Sequence, residues 1–142
     1  MSNFLFDRLF GCHKGEARAF LMFIDGSQQS YDSFLRQAAR FANVIQQMGL
    51  VVGDRLAAQV EKSAEGLALY AACIQSGVIF LPLNTAYTPA EISYFVEDSG
   101  AKLLVADESF DLRNVASEHG AVLEYLNGDG SGSLCDLAQN AS

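Results

Sequence analysis

Basic side chains are scarce in this 142-residue sequence: nine Lys and Arg stand against 17 Asp and Glu, a net charge of -8. The shortage is concentrated. Residues 1–56 carry six basic and five acidic side chains, whereas residues 57–142 carry three and twelve. No basic patch is visible, and an acidic surface repels phosphate backbones and anionic lipid, so no nucleic-acid partner and no membrane-surface partner is expected. Long hydrophobic runs are missing too. Residues 66–90 form a charge-free stretch of 25, but Gln75, Ser76 and Gly77 and then Asn84 and Thr85 interrupt it. A membrane span needs about 20 mostly apolar residues in succession. The stretch reads as core. Cysteine is the third scarcity: Cys12, Cys73 and Cys135 lie 61 and 62 positions apart, which excludes the close spacing of zinc knuckles and redox motifs and predicts reduced, structural thiols. The opening residues put Asp7 after a six-residue start with no basic leader before a long apolar stretch. No secretory signal is expected, and the expected location is cytoplasmic.

What remains is the composition of one globular domain, half of it apolar. A chain of this length buries roughly 68–70% of its unfolded surface, enough for a core without disulfides or a structural metal. After a short N-terminal helix, residues 19–24 are rich in β-formers and lead to Asp25-Gly26, which predicts a β-hairpin or extended arm. From Tyr31 the apolar residues recur at 34, 35, 38, 41, 42, 45 and 48, one face of a helix, with Asp32 as expected N-cap and Gly49 as terminator. Residues 56–60 read as a strand. Ser63 then opens a helix over 64–76 that is apolar on nearly every side, hence expected to be buried, and Gly77 closes it. Residues 78–83 are continuously apolar, as in an inner strand of a parallel sheet, with Pro82 at its end. Thr88-Pro89-Ala90-Glu91 has the form of a capping box with proline at the first helical position. That helix presents Ile92, Phe95 and Val96 and stops near Gly100. Further on, 102–106 and 121–126 read as strands, 110–119 as a helix ending at Gly120, and 134–139 as the start of a last helix. Strands near 56, 78, 102 and 121 separated by helices predict a three-layer α/β fold with a mainly parallel sheet built from βαβ units.

Four segments invite a chemical reading. Gly128 to Ser133 stands between strand and helix and contains Gly128-x-Gly130, like a dinucleotide fingerprint. Position 133 is Ser rather than Gly or Ala, Asp129 would face the pyrophosphate, and the loop follows the last strand rather than the first, so a plain, flexible connection is favoured. Gly11-Cys12-His13-Lys14-Gly15 places a thiol beside an imidazole, but catalytic Cys and His come together from separate segments, and the only other His is His119. A polar loop is favoured over a nucleophile or a metal site. Glu61-Lys62-Ser63-Ala64-Glu65 occupies the usual ligand rim of an α/β sheet, with capping by Ser63 and a helix-dipole role for Glu65 favoured. For Leu83-Asn84-Thr85-Ala86-Tyr87, lining a crevice and bonding the loop to itself are equally open.

The order of these segments, from the Tyr31 helix through Gly53-Asp54-Arg55 and Gly77 to Leu81-Pro82-Leu83-Asn84-Thr85-Ala86-Tyr87-Thr88, Glu91 and Tyr94, resembles the N-terminal part of the AMP-forming acyl-CoA synthetases, or adenylate-forming ligases. Residues 1–6, 58–65, 83–88 and 128–134 are most similar to the malonyl-CoA synthetase subgroup. The resemblance spans all 142 residues and only the opening of the family's chain. It implies a parent that activates a carboxylic acid, malonate for this subgroup, with ATP and Mg²⁺ to an acyl-adenylate and transfers the acyl group to CoA. The motifs this chemistry requires are a Ser/Thr/Gly-rich phosphate loop with lysine, a Tyr-Gly-x-Thr-Glu segment, a ribose-binding aspartate, a hinge and a C-terminal lysine. None stands here: the two threonines, Thr85 and Thr88, share one loop, and Lys14, Lys62 and Lys102 lie in no such motif. Stabilising a transferring phosphate needs preorganised cations or amides and a carboxylate-held metal. The resemblance therefore implies residues 1–142 as a single, incomplete N-terminal α/β subdomain, inactive by itself, with no catalytic, cofactor-binding or metal-ligating residue. The alternative is a stand-alone α/β interaction module that associates with a partner or with itself.

Overall fold

A computed structural model describes residues 19–22 and 28–140. The N-terminal helix, the Asp25-Gly26 turn and the Cys12-His13 segment lie outside the described residues. Strands β1 (Ala19–Met22) and β2 (Gln28–Ser30) pair antiparallel, in line with the expected hairpin. Helix α1 (Tyr31–Gln47) follows directly and buries Phe34, Leu35, Ala38, Phe41, Ala42, Val44 and Ile45. Each fully buried large side chain among these stabilises the fold by about 1.5–3 kcal/mol. Its N-cap is Ser30, whose hydroxyl accepts the Ser33 amide at 3.1 Å, not Asp32. Asp32 sits inside the first turn and pairs with Arg36 at 3.2 Å, because Ser30 already holds the extended backbone that a cap requires.

Four parallel strands form the main sheet: β3 (Arg55–Gln59), β4 (Ile79–Pro82), β5 (Leu103–Ala106) and β6 (Val122–Tyr125), in the order β4-β3-β5-β6. Between them run α2 (Ala64–Ser76), α3 (Pro89–Ser99) and α4 (Arg113–His119), and α5 (Ser133–Asn140) comes last. From β3 the chain steps outward to β4, then back across β3 to β5 and on to β6. Right-handed crossovers in opposite directions place their helices on opposite faces. Accordingly α2 joins α1 and α5 over Leu56, Ala58, Leu103 and Val105, while α3 and α4 cover Ala57, Leu104 and Ala106. The three layers are those the strand and helix spacing predicts.

Three local expectations are corrected. The 78–83 run is the edge of the described sheet, not an inner strand, and Ile79 is 49% exposed. Phe80 and Leu81 pack on opposite faces, which satisfies an apolar run without a second strand neighbour. Helix α2, capped by Ser63 and Gly77 as expected, is buried only along Ala68, Leu69, Ala71, Ala72 and Cys73; Leu67 and Tyr70 are 37% and 44% exposed. Helix α4 begins at Arg113 rather than near 110, because Asp107 turns the chain by accepting the Ser109 amide at 2.9 Å, and Phe110 donates its amide to the Asp107 carbonyl.

Candidate functional site

Open α/β sheets bind ligands outside the carboxyl ends of their strands, where neighbouring strands send the chain to opposite faces. Here that place lies between β3, which leads to α2, and β5, which leads to α4. Its rim is made by residues 60–63, 83–88, 107–112 and 126–132.

The crevice is filled by the chain itself. Gly128 rests against Glu61 and Asp107, with room for a Cβ at 3.6 Å from Glu61 Cβ. Its amide donates to Asp107 Oδ2 at 3.0 Å. The neighbouring pair is locked reciprocally: the Glu108 amide donates to Asn127 Oδ1 at 2.7 Å, and Asn127 Nδ2 donates to Glu108 Oε2 at 2.5 Å. Asp129 Oδ1 accepts the Ser131 amide at 2.9 Å, and the Gly130 amide donates to the Asn127 carbonyl. The amides of Asn127, Gly128, Gly130 and Ser131 are thus already used within the chain, and Glu61, Asp107, Glu108 and Asp129 give the place the wrong sign for an anion. Far from being a loose connection, the Gly128 loop is knit to the sheet. Hydrogen bonds from Ser109 and then Gly128 hold the Asp107 carboxyl below its ordinary 3.8, and those from Ser131 do the same for Asp129.

On the other side of β3 lies an open cleft of about 380 Å³ between α2 and β4. Leu67, Tyr70, Phe80, Pro82 and Leu83 form its apolar wall, and Glu61, Lys62 and Ser63 its rim. Tyr70 and Phe80 meet edge to face at 5.4 Å. The rim residues act as the structural reading expects. Ser63 Oγ accepts the Gly66 amide at 2.9 Å, and Glu65 stands in the first turn, where a negative charge complements the helix dipole.

For the 83–87 loop the structure selects self-bonding. Asn84 Oδ1 accepts the Ala86 amide at 2.8 Å, and Tyr87 stacks on Phe95 at 5.1 Å. Beneath it is a residue the sequence reading passed over. Gln59 is completely buried, and its Nε2 donates to the carbonyls of both Asn84 and Tyr87 at 3.1 Å. Its Oε1 has no hydrogen-bond partner among the described residues. The one available signal was a lone amide directly after the apolar run Leu56, Ala57 and Ala58.

The two described thiols are poor nucleophiles. Burial pushes the Cys73 thiol up to about 12 and, with the Glu65 charge adding to it, Cys135 up to about 11, so neither is a thiolate at neutral pH. Among the described residues no three His, Cys, Asp or Glu side chains gather as metal ligands, and no helix is long and apolar enough to cross a membrane. Lys102 pairs with Asp54 at 3.1 Å at the opposite end of the sheet, and Arg113 with Asp111 at 3.2 Å.

Residues 11–134 match the family model described as AMP-binding enzyme. The chain belongs to that family. The crystal structure of apo MatB from Rhodopseudomonas palustris superposes with a TM-score of 0.93 and 43% identity, over 100% of this chain and 29% of that one; its ATP-bound form gives the same values. Among curated members of the family, the fatty acid–[acyl-carrier-protein] ligase ScoC of Streptomyces coeruleorubidus is 30% identical over 86 residues, 61% of this chain and 17% of that protein. The long-chain-fatty-acid–CoA ligase FadD13 of Mycobacterium tuberculosis is 27% identical over 120 residues, 81% of this chain and 23% of that protein. The chain therefore spans less than a third of the length of these relatives. Both the AMP-binding family and its N-terminal α/β architecture agree with what the sequence implied.

Proposed function

We propose that residues 1–142 form the N-terminal α/β subdomain of a cytoplasmic acid–CoA ligase of the malonyl-CoA synthetase type. In this reading the segment supplies core and one wall. ATP, Mg²⁺, malonate and CoA are bound with residues supplied by other parts of a longer enzyme, and the segment alone has no activity. The observation that carries the proposal is the likeness to MatB along the entire chain, 43% identity at a TM-score of 0.93. Malonate as the acid is supported by the likeness of residues 1–6, 58–65, 83–88 and 128–134 to malonyl-CoA synthetases. Inactivity in isolation is supported by the acidic lining of the sheet's natural ligand crevice and by the Gly128, Gly130 and Ser131 amides, which are bonded within the chain. The test is malonate-dependent exchange between ATP and pyrophosphate on the purified 142-residue chain. No turnover above blank is expected; turnover would overturn the assignment of chemistry to other parts of the enzyme.

A second reading, a stand-alone module that associates with a partner or a second copy, is favoured by one observation. Leu67, Tyr70 and Ile79 stay exposed on α2 and the β4 edge. Sedimentation at several concentrations decides it, since a monomer that binds no apolar dye would count against the module.

A further inference from the structure

We draw no further inference here: the strongest candidate, the apolar cleft between α2 and the β4 edge lined by Leu67, Tyr70, Phe80 and Leu83, carries nothing because nothing in the structure shows what covers it.

Discussion

Asp107 accepts the amide of Gly128 across the carboxyl ends of β5 and β6, so that the loop after one strand is clasped by the loop after its neighbour. The clasp closes the sheet's switch point with the chain's own backbone and leaves an acidic surface over it. In the proposed reading, the phosphate cradle comes from other parts of a longer enzyme.

Replacing Asp107 by Ala removes the acceptor for both Ser109 and Gly128. These bonds are largely exposed, so the expected loss at pH 7 is about 1 kcal/mol after allowing for solvent screening. The carboxyl titrates lower in the folded chain than in the unfolded one. Its contribution is therefore complete above pH ~4 and disappears as pH falls through the folded value. Urea unfolding at pH 7 and pH 3 should show the gap between wild type and Asp107→Ala shrinking in acid; an unchanged gap would contradict the clasp.

Gly132 and Gly128 should behave oppositely. Gly132 has φ +129°, and a Cβ there would strike the Tyr125 carbonyl, whereas Gly128 has space and an unstrained backbone. Gly132→Ala is expected to cost about 1–3 kcal/mol or more, and Gly128→Ala little. A dinucleotide-type loop would be sensitive at position 128 instead. Thermal denaturation of the two variants side by side separates these cases.

The Thr88 box tests the most local feature. Thr88 Oγ1 accepts the Glu91 amide at 3.3 Å, and Glu91 Oε1 accepts the Thr88 amide at 3.2 Å. Thr88→Ala should lower stability by about 1 kcal/mol, and Thr88→Ser should restore most of it. Equal losses in the two variants would rule out the cap as the cause.

Buried Gln59 should be a sensitive polar position beneath the rim. Gln59→Leu withdraws two donors from the 83–88 loop, with an expected loss of about 1–3 kcal/mol. Gln59→Glu places an ionised carboxylate against two carbonyls, so it should cost more than Gln59→Leu at pH 7 and recover as acid protonates it. Unfolding curves at pH 7 and pH 5 read the difference; a pH-independent cost would show that the side chain does not face those carbonyls.

The features legible from the sequence are those set by neighbours in the chain. Ser63, Thr88 and Gly77 cap as their local patterns require, and the apolar spacing of α1 reports its buried face. The 78–83 run misled because apolar composition records cover above and below a strand, not whether another strand lies beside it. That depends on the chain doubling back across β3, which no local pattern encodes. Leu67 and Tyr70 misled for the same reason: an apolar side chain does not reveal that its face of the helix is left open. The lone amide of Gln59 was visible, but its role was not, because its partners lie 25 and 28 residues away. Asp32 misled as the expected N-cap because the extended backbone that a cap requires stands two residues earlier, at Ser30.

The most direct measurement grafts residues 1–142 in place of the matching segment of MatB from Rhodopseudomonas palustris and follows malonate-dependent ATP–pyrophosphate exchange beside the isolated chain. The account predicts exchange in the graft and none in the isolated chain. A folded graft without malonate-dependent exchange, or exchange by the isolated chain, would contradict it.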